Sequence, residues 1–427
     1  MKNSSKGSIH LFQAIALYIG AVLGAGILIV PGLAAETAGP ASLIDWGGFI
    51  LLVVPLALCM AYLSEKYPHA GGVAHFVAKA FGPKTATMVG WFFLMSVPIG
   101  APVAALTGAG YFTAAFHGSN RTTLFLAGGV LALALLLNYL GMTAAGKVQI
   151  VVVAGILGVL GLTIIGAVPH LDAAYFHPFM PRGMLGVGRA STLLFWCFIG
   201  WEAVANLSAE FVHPEKDIRR ATVIAAVLLS SVYFLAAFTV IGTGSAHQHA
   251  QAALVHVAQL GFGRTGAALI GSAGLLICLA TVIAYTGAAC RLAAALAKQG
   301  QAWKWLAKRS QKFHTPLGGL LFLLICFLTV MTVYALHFIS LSELIRLPNA
   351  AFLLNYGGGC LAGAVLFKHE PKKRLVSLIS LVAIVIMLIF VGLGIIYPMV
   401  IFLIIVAGRQ MGKKKRLERK LPRHYKG

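Results

Sequence analysis

Residues 20–27, Gly20-Ala21-Val22-Leu23-Gly24-Ala25-Gly26-Ile27, lie in the middle of an apolar run that extends from Leu11 to Ala35. A run of this length predicts a helix that spans a membrane. The clustered glycines predict a break at its midpoint, because glycine stabilises helices least among ordinary residues and tolerates positive φ. Lipid cannot satisfy the peptide groups that a break leaves unpaired, so protein, water or a ligand must do so. The alternative is that Gly20 and Gly24 only allow close packing of two helices.

A second apolar run, from Ser191 to about Ala209, contains Phe195-Trp196-Cys197-Phe198-Ile199-Gly200-Trp201-Glu202. One glycine flanked by aromatic residues, with a carboxylate close behind it, predicts a second broken span. Four ordinary spans follow the first break, which is the spacing of two five-helix repeats that each open with a broken helix. Many secondary transporters hold their substrate at broken spans, so the two stretches predict one binding site.

The composition is that of a membrane protein. Hydrophobic residues make up 59% of the chain and charged residues only 10%, whereas soluble proteins carry roughly 25% charged residues. All six cysteines lie in apolar runs, which favours small buried side chains over a disulfide framework or a zinc site. They are Cys59, Cys197, Cys278, Cys290, Cys326 and Cys360.

The apolar runs predict an all-α polytopic membrane protein with about twelve transmembrane helices. The spans are expected at 11–35, 43–63, 86–115, 122–141, 147–168, 190–210, 220–243, 264–296, 315–337, 343–367, 374–392 and 394–409. Residues 1–427 are interpreted as one transporter domain. Its parts are a first inverted repeat at 10–168, a second at 190–367, two additional spans at 374–410 and a basic cytoplasmic tail at 411–427.

The positive charges predict the orientation of the chain. Of its 33 lysines and arginines, five fall on one side of the predicted membrane and the other 28 on the side that holds both termini. The positive-inside rule therefore predicts cytoplasmic termini in a bacterial inner membrane. The cluster Lys413–Arg416 is typical of a segment held by anionic membrane lipid, and we expect no nucleic-acid partner.

Glu202 is the carboxylate that lies most clearly within a predicted span. A charge at the bilayer centre costs about 2.5–3.5 kcal/mol on insertion scales, which argues for a position facing the interior of the bundle. Our hypothesis is that Glu202 couples proton movement or gating to the substrate. The alternative is a structural acid that bonds to neighbouring backbone and stays in one state.

The breaks also indicate the ligand. The half-helix that starts after Gly26 presents free N–H groups and a positive dipole end, which suits a carboxylate. Free carbonyls near Phe198 and Ile199 suit an ammonium group, so the two together describe the backbone atoms of an amino acid. Apolar residues around them, including Val97 to Ala101, favour a neutral, apolar side chain. The candidate substrate-binding residues are Gly20, Val22, Leu23, Gly24, Ala25, Gly26, Trp196, Cys197, Phe198, Ile199, Gly200 and Trp201. For any single aromatic residue, ordinary packing is the alternative.

Several of these motifs resemble the amino acid–polyamine–organocation superfamily of permeases. Residues 20–27 resemble its first-span signature, and residues 195–202 its sixth-span signature. Glu210 followed by residues 213–218, His-Pro-Glu-Lys-Asp-Ile, resembles the loop after the sixth span, and residues 67–72 resemble the loop after the second. Residues 71–77 and 195–198 look like the bacterial branch that exports L-methionine and branched-chain amino acids.

The resemblance implies a five-plus-five inverted repeat, with two extra spans and alternating access around a central site. It places Trp196 where relatives have a gating aromatic residue, and Glu202 where some relatives have a proton-sensing acid. Some proton-coupled relatives carry a lysine within the fifth span. Here that span has only Lys147 at its start, followed by uncharged residues from Val148 to Gly166, so the coupling ion stays open.

The leading hypothesis is a secondary transporter of methionine, leucine, isoleucine and valine that acts as an exporter. An importer or exchanger of the same fold and a nontransporting amino-acid sensor are the alternatives. A divalent-metal transporter would need acidic, amide or thioether ligands at both breaks, and the first break has none. A membrane enzyme would need clustered His, Asp or Glu at one depth, which Glu202 lacks. We therefore expect no metal, cofactor or enzymatic activity, and the oligomeric state stays open.

Overall fold

The computed structural model describes residues 9–69, 71–141, 146–202 and 211–406. Over these ranges the chain is built from helices joined by short turns, and its one pairing of extended backbone is an isolated bridge between Ile9 and Phe211. Nine of the described helical segments are long and apolar enough to cross a membrane, with the second and third helices counted as one segment. Two shorter apolar helices, Leu11–Leu23 and Gly392–Val406, accompany them. The predicted all-α polytopic fold is confirmed.

The first span is broken, as predicted. Helix α1 (Leu11–Leu23) ends directly before Gly24, whose φ of 22° and ψ of −154° are not helical. Helix α2 (Gly26–Ala38) resumes two residues later and carries Pro31 in its interior.

The helices that follow include counterparts of the predicted spans two to six, together with the short helix Gly72–Phe81, which corresponds to no predicted span. They are α3 (Ser42–Lys66), α4 (Gly72–Phe81), α5 (Pro83–Ala115), α6 (Asn120–Tyr139), α7 (Gly146–Ala167) and α8 (Gly183–Leu194). Short 3₁₀ turns occur at Gly39–Ala41, Val168–His170 and Ala173–Phe176.

The sixth span is also broken. Helix α8 runs into a 3₁₀ turn at Phe195–Phe198, and Ile199 is then extended, with φ −76° and ψ 139°. Gly200 has a φ of 133°, a value that favours glycine. Helix resumes at Trp201 and Glu202, and residues 203–210, which include Glu210 of the resemblance, lie outside the described residues.

The described residues resume at residue 211. The helices from there on are α9 (Pro214–Gly242), α10 (Ser245–His249), α11 (Ala253–Lys298), α12 (Leu317–Ala335), α13 (Leu341–Leu366), α14 (Pro371–Phe390) and α15 (Gly392–Val406). Helix α11 is interrupted by non-helical residues at Phe262 and Gly263. The part long enough to cross a membrane therefore begins after Gly263, which agrees with the predicted start of the eighth span at residue 264. Gly392, with a φ of 59°, makes the predicted turn between the last two spans. The tail at 411–427 lies outside the described residues.

The broken spans lie inside the bundle, and the outer helices face lipid. Helix α5 packs along α11 and against α13, and most of its residues are buried. The outer helices α12 and α14 instead expose large apolar side chains, such as Ile325 and Ile389, at 61% and 72%. Extended apolar surfaces of this kind are typical of contact with a membrane.

Candidate functional site

The two breaks touch each other backbone to backbone. A Cβ added to Gly200 would lie 2.6 Å from the carbonyl oxygen of Ala21, and one added to Gly26 would lie 2.8 Å from the Cα of Cys197. Real Cβ atoms do not come so close to other backbone atoms. The glycines at 26 and 200 are therefore required for the two interrupted spans to cross at this depth.

Tyrosines from other spans satisfy the carbonyls near the first break. The hydroxyl of Tyr233, on α9, donates to the carbonyls of Val22 and Leu23 at 3.2 and 3.1 Å. The hydroxyl of Tyr111, on α5, donates to the carbonyl of Leu28. These bonds supply partners that lipid could not, and they fix the end of α1 against α9.

A cavity of about 500 Å³, counted with its open mouth, lies where the breaks meet. A concave, mostly apolar space with a few polar groups is typical of a site for a small molecule. It is lined by Ala21, Val22, Gly24, Ala25, Gly26, Ser96, Val97, Gly100, Ala101, Ala104, Trp196, Ile199, Thr281, Val282, Tyr285 and Phe352. No lining residue is charged. Polar side chains come from Ser96, Thr281 and Tyr285, and the first two donate to carbonyls of their own helices, at 2.7 and 3.0 Å.

Half of the candidate substrate-binding residues border this cavity. They are Val22, Gly24, Ala25, Gly26, Trp196 and Ile199. The first turn of α2 therefore opens on the cavity, and the first N–H groups of a helix have no acceptor within that helix. The indole of Trp196 lies against α5, because a Cβ added to Gly100 would lie 3.1 Å from its Cη2 atom.

Five other candidates do not line the cavity. Gly20, Leu23, Cys197, Gly200 and Trp201 are not among the residues that line it, and the side chain of Phe198 lies outside the described residues. Trp201 is 1% exposed, and its ring centroid lies 5.4 Å from that of Tyr18 on α1. Cys197 is buried where its Cα approaches Gly26. The reason is local geometry, since the 3₁₀ turn and the extended Ile199 set which side chains face the cavity.

Glu202 is buried, at 2% exposure, and makes hydrogen bonds with both oxygens. Its Oε2 accepts from the N–H of Gly200 at 2.9 Å and from the hydroxyl of Tyr356. Its Oε1 accepts from the hydroxyl of Tyr285 at 3.3 Å. Glu202 does not border the cavity itself, but Tyr285 does, so one hydroxyl connects the carboxylate to the cavity. Three donors can hold the ionised form, whereas a protonated Glu202 would have to donate to one of its partners.

Sequence reasoning missed the residues that complete this site. Tyr285 and Tyr356 come from α11 and α13, and their place within apolar spans was the available signal. A second acid, Asp45, is also buried, at 8% exposure in the first turn of α3. Its Oδ2 has no hydrogen-bond partner among the residues that the structure describes.

Comparison with known proteins identifies the family. The sequence model of a family described as amino acid permease matches residues 9–414. The chain belongs to this family, so it is a multi-pass membrane protein and a transporter-type protein rather than an enzyme.

Individual relatives match over most or about half of the chain. An uncharacterized amino acid permease of Bacillus subtilis, YecA, is 34% identical over 92% of this chain and 93% of its own. The Escherichia coli L-methionine/branched-chain amino acid exporter YjeH is 33% identical over 92% and 94%. The branched-chain amino acid permease BcaP of Bacillus subtilis is 29% identical over 54% of each chain.

Proposed function

We propose that this protein carries neutral, apolar L-amino acids, namely methionine, leucine, isoleucine and valine, across the inner membrane by alternating access, with net export. The observation that carries the proposal is the uncharged cavity of about 500 Å³ at the contact of the two broken spans. Its concave shape and its apolar, uncharged walls suit an amino acid of this class.

The substrate's shared atoms would be held by backbone groups. The first N–H groups of α2, at the border formed by Gly24, Ala25 and Gly26, suit the carboxylate, as helix N-termini do in general. The ammonium group would lie near the carbonyls freed by the break in the sixth span, beside Ile199. Recognition through backbone groups leaves the side chain of the substrate to the cavity walls.

The cavity walls select against a charged substrate side chain. Val97, Ala101, Val282 and Phe352 are apolar, and Glu202, the nearest described acid with a bond to the lining, already accepts three hydrogen bonds. A lysine or arginine side chain would lose its hydration here and gain no counter-charge, which is costly. Neutral amino acids are therefore the favoured class.

Trp196 and Glu202 take the gating and coupling roles in this proposal. The indole of Trp196 covers the cavity beside Gly100, and its displacement would open one path. Loss of the charge on Glu202 would reverse its hydrogen bond with Tyr285, a cavity residue, so proton binding and substrate binding would affect each other. The alternative is that Trp196 and Glu202 are structural. The pH profile of transport by Glu202→Gln distinguishes the two roles of the acid.

The direction and orientation of transport have separate support. Only five arginines (Arg121, Arg182, Arg189, Arg264 and Arg346) fall on the side opposite the termini, so we assign both termini to the cytoplasm. Net export is proposed by analogy with the exporter of Escherichia coli, to which the chain is 33% identical. Two reporters fused after residue 427 test this orientation. A phosphatase that is active only in the periplasm should be inactive at this position, and a fluorescent protein that folds in the cytoplasm should be fluorescent.

Counterflow in proteoliposomes tests the function. Vesicles loaded with unlabelled methionine or leucine should accumulate the labelled amino acid, and vesicles without protein should not. Binding without exchange would identify a sensor, and neither binding nor exchange would refute the substrate class. In cells given methionine- or leucine-containing dipeptides, expression should lower the intracellular amino acid. Increased uptake from outside would instead identify an importer.

A further inference from the structure

Between α11 and α12, six side chains form a basic and aromatic surface, here called the Trp303–Lys312 platform. Its members are Trp303, Lys304, Trp305, Lys308, Arg309 and Lys312, all exposed. The indoles of Trp303 and Trp305 are 54% and 44% exposed. This exposure is notable because tryptophan has a large, mostly apolar ring. The platform lies directly before Leu317, where the next apolar helix begins, and so at the edge of the membrane-spanning region.

Among the residues that the structure describes, no acidic side chain forms an ion pair with the platform. The sequence contains no Asp or Glu between Asp217 and Glu343. The ion pairs found within the described residues join Glu370 to Lys66 and Lys373, and none includes a platform residue. The platform therefore combines four cations that form no ion pair within the described residues with two tryptophans, and Lys312 lies over the ring of Phe313, 5.3 Å from its centroid.

The backbone beneath the platform is fixed before any partner binds. Leu306, at its centre, is fully buried, and Ser310 is 4% exposed. The N–H of Gly318 donates to the carbonyl of Lys308 at 3.0 Å, and the N–H of Ser310 donates to the carbonyl of Thr315 at 2.9 Å. A Cβ on Gly318 would lie 2.2 Å from the carbonyl oxygen of Trp305, so loop and helix are in direct contact.

The platform is also connected to helices that line the cavity. Trp91, on α5, donates from its indole N–H to the carbonyl of Gln301 at 3.2 Å, and its ring lies edge-on to Trp303, 6.1 Å between centroids. Helix α5 supplies five lining residues between Ser96 and Ala104, and α11, which ends at Lys298, supplies Thr281, Val282 and Tyr285.

We propose that the Trp303–Lys312 platform binds an anionic phospholipid of the cytoplasmic leaflet and thereby stabilises the transport-competent arrangement of α5 and α11. Its cations contact the phosphate headgroup, and its indoles lie at the level of the headgroups, where tryptophan is enriched. Exposed tryptophans next to a membrane edge favour lipid over a soluble acidic partner, because the headgroup region accommodates both an apolar ring and its N–H. The leaflet assignment rests on the orientation proposed above.

Lipid titration in nanodiscs tests this inference. Protein in phosphatidylcholine nanodiscs should become more thermally stable as phosphatidylglycerol is added. It should also bind its amino-acid ligand better. The variant Lys304→Gln/Lys308→Gln/Arg309→Gln should bind phosphatidylglycerol on the order of 100-fold more weakly and so respond little over the range that saturates the parent, since each of the three cations contributes about 1 kcal/mol near an anionic surface. The matched control is Lys368→Gln/Lys372→Gln/Arg374→Gln, three exposed cations at the α13–α14 connection.

Several results would overturn the inference. They are an equal shift in the control variant, an equal response to phosphatidylcholine, and the full effect from soluble glycerophosphate, which would identify a phosphate site instead. A second measurement does not depend on the triple variant folding. Phosphatidylglycerol with brominated acyl chains should quench tryptophan fluorescence of the parent more than brominated phosphatidylcholine at the same fraction. That difference should shrink in Trp303→Phe/Trp305→Phe and be unchanged in Trp46→Phe, whose ring is buried.

Discussion

The hydroxyl of Tyr285 lies 3.3 Å from Oε1 of Glu202, and the Tyr285 ring borders the cavity while Glu202 does not. The buried acid can therefore respond to an occupant of the cavity only through a neighbour. In the proposed function, this arrangement would separate substrate contact from charge, because an occupant of the cavity would meet the tyrosine and the tyrosine meets the carboxylate. It makes the pair the most informative place to test coupling.

Removing either member of this pair should change the pH dependence of transport. We expect Glu202→Gln to flatten the pH profile of counterflow, because the amide cannot exchange a proton. Tyr285→Phe keeps the ring that stacks on Phe93, 6.2 Å between centroids, but loses the hydroxyl. It should slow transport about tenfold, which corresponds to the loss of one hydrogen bond to a charged group. A Glu202→Gln protein with the parent's rate and pH profile would show that the acid is structural.

Adding a methyl group at the crossing of the two breaks should abolish transport. In Gly200→Ala the new Cβ would meet the Ala21 carbonyl at 2.6 Å and the residue would keep a φ of 133°, strain of about 1–3 kcal/mol before any clash. We expect a lower thermal unfolding temperature in detergent and no counterflow. Gly110→Ala is the matched control: it lies within α5 with no heavy atom within 4 Å of its added Cβ, so it should retain stability and transport. Equal behaviour of the two variants would contradict the described contact.

Competition experiments should separate neutral from cationic amino acids. Unlabelled methionine, leucine, isoleucine and valine should inhibit counterflow of labelled leucine at similar concentrations. Lysine and arginine should require at least about 100-fold more, because an unpaired buried charge costs several kcal/mol. Effective inhibition by lysine would mean that an acid faces the substrate after all, with Glu202 or Asp45 the residues to test next.

A small, pH-dependent contribution to stability is expected from Glu370. Its carboxylate pairs with Lys373 and Lys66, and hydrogen bonds from these two lysines lower the pKa of Glu370 below its usual range. A lowered pKa in the folded state stabilises the protein above the unfolded pKa of about 4.3, and this stabilisation is lost as the pH falls through the folded value.

Thermal unfolding checks this expectation. Glu370→Gln should lower stability at neutral pH by at most about 1 kcal/mol, since the pair is exposed, and the difference should vanish in acid and shrink in high salt. A difference that grows as the pH falls would contradict the assignment.

Much of the fold could be predicted from sequence because its signals are local. Gly24 and Gly200 interrupt apolar runs, and both positions have non-helical backbone in the structure. The turn at Gly392 and the length of each span follow from the same local rules. The division into two inverted repeats, by contrast, is a relation between distant segments and stays a prediction.

The site could be predicted only in part because its closing contacts are distant in sequence. Tyr285 and Tyr356 lie 83 and 154 residues from Glu202. An apolar span offers no pattern that says which of its tyrosines faces an acid. The direction of the Trp201 side chain was also not predictable. The sequence places Trp201 at the break, but the backbone angles of Ile199 and Gly200 direct its ring onto Tyr18.

The contacts of Gly26 with Cys197 and of Gly200 with Ala21 leave no room for a larger side chain at these two positions, where the interrupted spans cross. Neither can therefore slide along or rotate against the other without separating peptide groups that lie in van der Waals contact. An opening motion should therefore move the two contacts, at Gly26 and at Gly200, as one rigid unit. The bending should occur in the four helical segments that lie on either side of the two breaks. The same geometry would hold a bound molecule at a fixed depth while access changes from one face of the membrane to the other.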